Sequence, residues 1–150
     1  MRHRLGSVAR LAAVGVLIVA CGGTSIGCGG DIYLLTAEAA KLAGADDFDI
    51  RVCVDGLCTG GPITAASAHA ANDSLSFDTG RSDGGDATIE IEATTADGVV
   101  HTASGIVDLD TYRPNGLFRA PVCAVANITI VDGEVRNAPP GLLPSVEDRY

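Results

Sequence analysis

Three Asp-Gly dipeptides, Asp55-Gly56, Asp97-Gly98 and Asp132-Gly133, each follow a stretch in which apolar and polar residues alternate. Asp-Gly is a favoured centre for a two-residue hairpin, because the type I′ turn needs φ > 0 at both central positions. Period-two alternation marks a strand with one buried face. Residues 47–54 place Phe48, Ile50, Val52 and Val54 on one side and Asp47, Asp49, Arg51 and Cys53 on the other. Residues 87–94 turn Ile89, Ile91 and Ala93 inward, and residues 124–131 with 134–136 repeat the pattern. Counting back from Asp97-Gly98 pairs Ile89 with Ile106, Ile91 with Ser104 and Ala93 with Thr102. That register sets His101 opposite Thr94 on the wetter face. Ile32–Leu35 and Leu75–Phe77 are shorter strand candidates. Residues 36–44 compete as a short helix or turn, with Thr36 as its cap and Gly44 as its stop. The expected fold is all-β, an antiparallel β-sandwich of six to eight strands over residues 31–137. The Pro-rich tail, residues 138–150, cannot continue a sheet.

The N-terminus is built differently. Arg2, Arg4 and Arg10 precede an apolar stretch from Leu11 to Ala20. A basic segment followed by about ten apolar residues is a secretory signal, too short for a membrane-spanning helix, which needs ~20 apolar residues. It ends Ile18-Val19-Ala20-Cys21, which resembles the bacterial lipobox. The resemblance implies cleavage after residue 20 and diacylglyceryl attachment to Cys21, with the new N-terminus often acylated too. Two or three acyl chains anchor stably where one is marginal. Residues 1–20 are thus expected to be a lipoprotein signal peptide and residues 21–30, rich in Gly and Ser, a flexible tether. The expected location is the outer face of the cell membrane, with the bilayer itself as one partner. Abundant Ala, Gly and Asp, with one Lys against nine Arg, fit a high-GC, actinobacterial source.

With Cys21 acylated, four cysteines remain, and an even count in an exported chain reads as two disulfides. The turn at Asp55-Gly56 makes Val54 and Leu57 a hydrogen-bonded pair. Cys53 and Cys58 are then the next, non-hydrogen-bonded pair, close enough to bridge. Cys28 with Cys123 follows by subtraction. Zinc would need Cys28, Cys123, His69 or His101 to complete a set around an x₄ spacing that no second close pair supports, and Cys-x-x-Cys is absent.

The formal net charge is −9 over 150 residues, and removal of residues 1–20 leaves 130 residues with seven basic groups against nineteen acidic, or −12. Such a balance excludes nucleic acid as a partner. A hydrophobic fraction of 47% excludes a wholly disordered chain. His69 and His101 read as surface histidines, so no catalytic residues are assigned. Glu90 and Glu92 share one strand face about 7 Å apart, as the polar side of an alternating strand does. The most serious cofactor candidate is calcium. Asp78, Asp83 and Asp86 lie on one turn-rich loop, and Asp46, Asp47, Asp108 and Asp110 stand at other strand ends. The spacing departs from an EF-hand loop, and a site of this kind would bind calcium at millimolar strength. Asn72 and Asn127 head glycosylation sequons that have no expected reader in a bacterium.

The run from Val52 through Cys53, Asp55-Gly56 and Cys58, with Pro114-Asn115-Gly116 and Pro121-Val122-Cys123 later, resembles exported actinobacterial lipoproteins carrying an immunoglobulin-like or transthyretin-like sandwich. Those proteins often hold a further Cys after Pro-Asn-Gly, where this chain has Leu117-Phe118-Arg119. The resemblance implies the sandwich and no activity. The expected role is a binding or accessory module of the cell envelope that meets an envelope protein or component through loops at one end, with residues 59–74 and 110–121 the longest candidates. A calcium-binding or metal-dependent enzyme and a structural spacer are the alternatives.

Overall fold

The computed structural model describes residues 32–64, 74–115, 118 and 121–143. Cys21, Cys28, His69, the signal, the tether and residues 144–150 lie outside them. Eight strands and one helix follow in chain order: β1 (Ile32–Leu35), α1 (Thr36–Ala43), β2 (Phe48–Val54), β3 (Leu57–Ile63), β4 (Ser74–Phe77), β5 (Gly85–Thr95), β6 (Val100–Tyr112), β7 (Cys123–Val131) and β8 (Glu134–Asn137). Among the described residues no helix is long and apolar enough to cross a membrane.

The strands form one mixed sheet in the order β3-β2-β5-β6-β8-β7-β1-β4, with β6 pairing β7 as well. Six pairings are antiparallel, but β1 runs parallel to β7 and β6 parallel to β8. The expected antiparallel sandwich is therefore met only in its β content: the sheet curls into a nearly closed barrel around one core. Its two edges, β3 and β4, face each other across a depression of about 350 Å³ floored by Ile50, Ile63, Leu75 and Phe77. Ile32, Leu34, Ile89, Ile91, Ile128 and Val107 are fully buried at the centre.

Two of the three Asp-Gly turns adopt the expected geometry. Asp55 and Gly56 have φ of 48° and 86°, and Asp132 and Gly133 have 51° and 77°. Val54 pairs Leu57, Cys53 pairs Cys58, Val131 pairs Glu134 and Ile130 pairs Val135. At the third turn only Gly98 has positive φ, at 84°. Gly98 N–H donates to Thr95 O at 2.9 Å, and Thr95 N–H to Val99 O at 3.0 Å. This is a turn with three residues in the loop, closed by a left-handed Gly, rather than a two-residue one. The register shifts by one residue: Ile89 pairs Gly105, Ile91 pairs Ala103, and Ala93 pairs His101. A slip of one residue reverses which side chains face the core. Ala103, Val107 and Leu109 are buried, and Ile106 is 68% exposed. His101 therefore lies on the core-facing side, at its rim, and not opposite Thr94.

Residues 36–43 are a helix ended by Gly44 at φ 67°, whose N–H donates to Ala40 O. The expected Thr36 cap is absent. Leu35 holds the cap position, and the Thr36 hydroxyl is buried without a hydrogen-bond partner among the described residues. Because β1 and β4 stop level with each other, at Leu35 opposite Ser74, α1 continues the wall beyond them. It packs on β1, β2, β5, β6 and β7 and buries Ala39 and Ala43. The Glu38 carboxylate fixes it to β7, accepting from the Thr129 hydroxyl at 2.6 Å and from Ile130 N–H at 3.0 Å.

The barrel thus has a turn end, with Asp55-Gly56, residues 78–86 and the start of β7, and a helix end, with Gly44, the Thr95–Val99 hairpin and Ile63. Residues 59–63, expected within a binding loop, are strand β3, and residues 65–73 lie outside the described residues. β3 reaches the helix end, whereas residues 110–112 pair Cys123–Val125 at the turn end.

Cys53 and Cys58 form a disulfide across the first hairpin, with a Cα–Cα distance of 3.9 Å. It sits on the outer face, opposite the stripe of Ile50, Val52 and Val54. Cys123 is also disulfide-bonded. Closing a short loop, the hairpin bridge contributes about 2 kcal/mol through the unfolded chain. A Cys53→Ser/Cys58→Ser variant is expected to lower the urea midpoint accordingly, with its strand register intact by amide NMR.

Candidate functional site

The loop carrying Asp78, Asp83 and Asp86 is organised around an internal cation, Arg81. Its guanidinium donates to Asp55 Oδ2 at 2.8 Å, to both Asp83 oxygens at 3.3 Å, and to the backbone carbonyls of Asp86 and Gly84 at 2.9 and 3.2 Å. Asp83 is held below the usual carboxylate range chiefly by its hydrogen bonds from Arg81. Asp78 instead accepts from Gly80 N–H at 2.8 Å, the local bond a short acidic side chain makes in a turn. Asp55 carries a second bond, from Thr88 N–H at 2.9 Å, which ties the first hairpin to β5. Asp108 and Asp110 lie along the outer face of β6, and Asp46 and Asp47 precede β2 at the opposite end. The seven carboxylates proposed for calcium are not brought together; on the loop, Asp83 bonds Arg81 and Asp78 bonds the backbone. Among the described residues no group of three His, Cys, Asp or Glu side chains is placed to hold a metal ion.

Glu90 and Glu92 share the outer face of β5, as expected. Arg51 pairs with Glu92 at 3.0 Å and lies 3.3 Å from Cys58 Sγ. With Thr102 and Ser104 of β6 they border a shallow groove of about 290 Å³. The ion pair is more than 40% exposed on both sides, and pairs in that setting contribute little to stability.

The helix end is where apolar and charged groups converge. One depression, of about 470 Å³, lies between the end of α1 and the Thr95–Val99 hairpin and is bordered by Ala45, Asp47, Ala96, Asp97, Val99 and His101. A second, of about 230 Å³, continues from Asp47 and Ala96 over Asp49 to Pro62 and Ile63. The two share Asp47 and Ala96 and so form one trough across the ends of β2, β3 and β5. Its floor is apolar, and Val99 stays 47% exposed there. Its rim carries Asp47, Asp49 and Asp97, with His101 near Asp97.

The trough follows from local rules. Gly44 ends α1 in a left-handed cap and releases the chain into Ala45, Asp46 and Asp47. The register of the third hairpin brings His101 to the core-facing rim. Asp97 holds the hairpin tip: its carboxylate accepts from the Thr95 hydroxyl and from Val99 N–H. These bonds, the hydroxyl first, lower its pKa, and His101 adds to the effect. A Thr95→Val variant is therefore expected to move Asp97 back up towards the ordinary carboxylate range, as read by ¹³C-carboxyl NMR titration. The sign follows from linkage: a depressed carboxylate stabilises the fold above its unfolded pKa, and the contribution is lost as pH falls through the folded value. The variant should lose stability relative to the parent at neutral pH and converge with it in acid.

Sequence reasoning reached Asp47 and His101 only as members of other sets, and missed Val99 and Asp97 as parts of a site. The available signal was the third hairpin's odd register, which polarity along β6 already favours. Comparison with family models, curated proteins and solved structures found no match to this chain.

Proposed function

We propose that the chain is an exported lipoprotein, held on the outer face of a bacterial, actinobacterial-type membrane by acylated Cys21. In this reading its acidic β-domain is a binding module that meets an envelope component at the helix end. The observation that carries the orientation is the direction of β1. Ile32 pairs Ala126 and Phe77, so the chain enters the domain at the turn end, eleven residues after the proposed anchor. The helix end then points away from the bilayer, with the trough facing outward. That Cys123 is disulfide-bonded supports the Cys28–Cys123 bridge. The Cys53–Cys58 disulfide fits an oxidising compartment, and a charge of −12 favours a domain standing off an anionic surface. Affiliation with immunoglobulin-like or transthyretin-like lipoprotein domains belongs to the same proposal, supported by the stapled hairpin and the six antiparallel pairings.

The test is made in cells of a bacterium that processes lipoproteins. Cys21→Ala should move the protein from the membrane to the soluble exported fraction. A photo-crosslinking residue at Val99 should give discrete adducts that the same residue at Asp110 does not. A Cys21→Ala protein that stays on membranes removes the anchor, and equal adducts from both positions remove the assignment of the binding end.

A further inference from the structure

We infer that the trough at the helix end receives a basic, apolar peptide segment, one whose Lys or Arg side chains lie between carboxylates while its apolar side chains rest on the floor. This names the partner class of the site proposed above and rests on that reading.

Two features of the trough choose the occupant. The floor of Ala45, Ala96, Val99, Pro62 and Ile63 offers apolar contact, and Val99 is far more exposed than a core valine. An apolar floor with a few polar groups converging at its edge is the usual make-up of a binding cleft. The rim then sets the charge of what fits. Asp47, Asp49 and Asp97 line the two connected depressions, and among the described residues that line them His101 alone can be positive. Asp97 is kept ionised by Thr95 and Val99, so its charge persists below the pH at which an ordinary aspartate protonates. An acidic ligand would meet like charge, and a neutral apolar one would leave the rim unused. Electrostatic complementarity of this kind sets specificity and speeds encounter more than it adds affinity. The combined volume suits a few side chains in an extended segment rather than a folded domain face.

The experiment uses the full chain in detergent micelles and fluorescein-labelled peptides read by anisotropy. One peptide alternates Leu and Arg, a second alternates Leu and Glu, and a third alternates Gly and Arg. The Leu-Arg peptide should bind saturably and weaken with salt, while the other two bind at least about tenfold more weakly. Asp47→Asn/Asp49→Asn/Asp97→Asn should weaken Leu-Arg binding by about tenfold, two or three surface pairs' worth. Asp86→Asn/Asp110→Asn/Asp132→Asn, with the same change in net charge elsewhere, should leave it unchanged. Should the trough variant fold poorly, hydrogen exchange on the unmodified chain gives the same answer: the peptide should protect amides of Thr95–Val99. Equal binding of the Gly-Arg peptide, equal weakening by the control triple, or protection confined to other segments overturns the inference. If the peptides fail while adducts still come from Val99 in cells, the partner class falls and the binding end stands. If adducts come equally from Asp110, the binding end itself falls.

Discussion

A Gly105→Ala chain is expected to lose about 3 kcal/mol of stability or more. Gly105 lies in β6 where β8 crosses it, and a Cβ there would sit 2.0 Å from the Val135 carbonyl oxygen and 2.9 Å from its carbon. Both are backbone atoms of a residue that is itself 1% exposed, so no side chain can swing away to make room. The only remedy is to push β8 off β6. What holds β8 there is sparse: one parallel bridge at Ser104 and Glu134, Ser104 N–H to Gly133 O at 3.2 Å, and the Asn137 side chain. That amide accepts from Asp108 N–H at 2.9 Å and donates to Asp108 O at 2.8 Å, standing in for a strand backbone. Separating the strands would break this set and expose Val135. Urea denaturation should show the loss as a lower midpoint, with amide exchange fastest in β8. Gly61→Ala is the control. A Cβ at Gly61 meets nothing within 4 Å, and the substitution restricts the unfolded chain, so stability should hold or rise slightly.

That close approach shows why the local architecture was readable in the sequence and the closure was not. Hairpins, strand faces and the Gly44 stop follow from neighbours within a few residues, and Asp55-Gly56 and Asp132-Gly133 behave as their chemistry requires. The pairing of β1 with β7 joins residues more than ninety positions apart, and β8 meets β6 through one bridge, one backbone hydrogen bond and an asparagine side chain. No periodicity encodes either. Gly105 was visible as a glycine inside an alternating strand, which is the usual mark of close backbone approach. What approached it could only come from the fold. The parallel pairs that turn an expected sandwich into a nearly closed barrel belong to the same class of non-local fact.

The candidate site was legible in pieces. The acidic run from Asp78 to Asp86 has the composition of a cation loop, but it contains its own cation: Arg81 sits inside the run and makes four polar contacts there, with a fifth to Asp55. A basic residue in the middle of an acidic turn is a signal that the charge is satisfied internally. The trough instead joins residues 43–49, 62–63 and 95–101, three segments that share no motif. Its acidic rim is assembled by strand ends meeting, not by spacing along the chain.

The third hairpin offers the sharpest test, because turn chemistry and strand polarity disagree about it. Asp97-Gly98 as a two-residue turn would face Ile106 inward beside Ile89. Polarity along β6 argues the other way, since Ala103, Val107 and Leu109 make a more apolar stripe than Thr102, Ser104, Ile106 and Asp108. Polarity prevails, because one buried face specifies register strongly while the turn adapts by one residue. Asp97 allows this by bonding Thr95 and Val99, staying out of the left-handed region and leaving Gly98 alone at positive φ. Ile106→Ala is therefore expected to change stability by less than about 0.5 kcal/mol, as exposed positions do. Leu109→Ala, at a side chain 2% exposed, should cost about 3 kcal/mol through lost burial and the cavity left behind. Urea midpoints of the two variants, measured side by side, decide between the registers. The two-residue turn requires the opposite ranking, with Ile106→Ala the damaging change and Leu109→Ala the mild one.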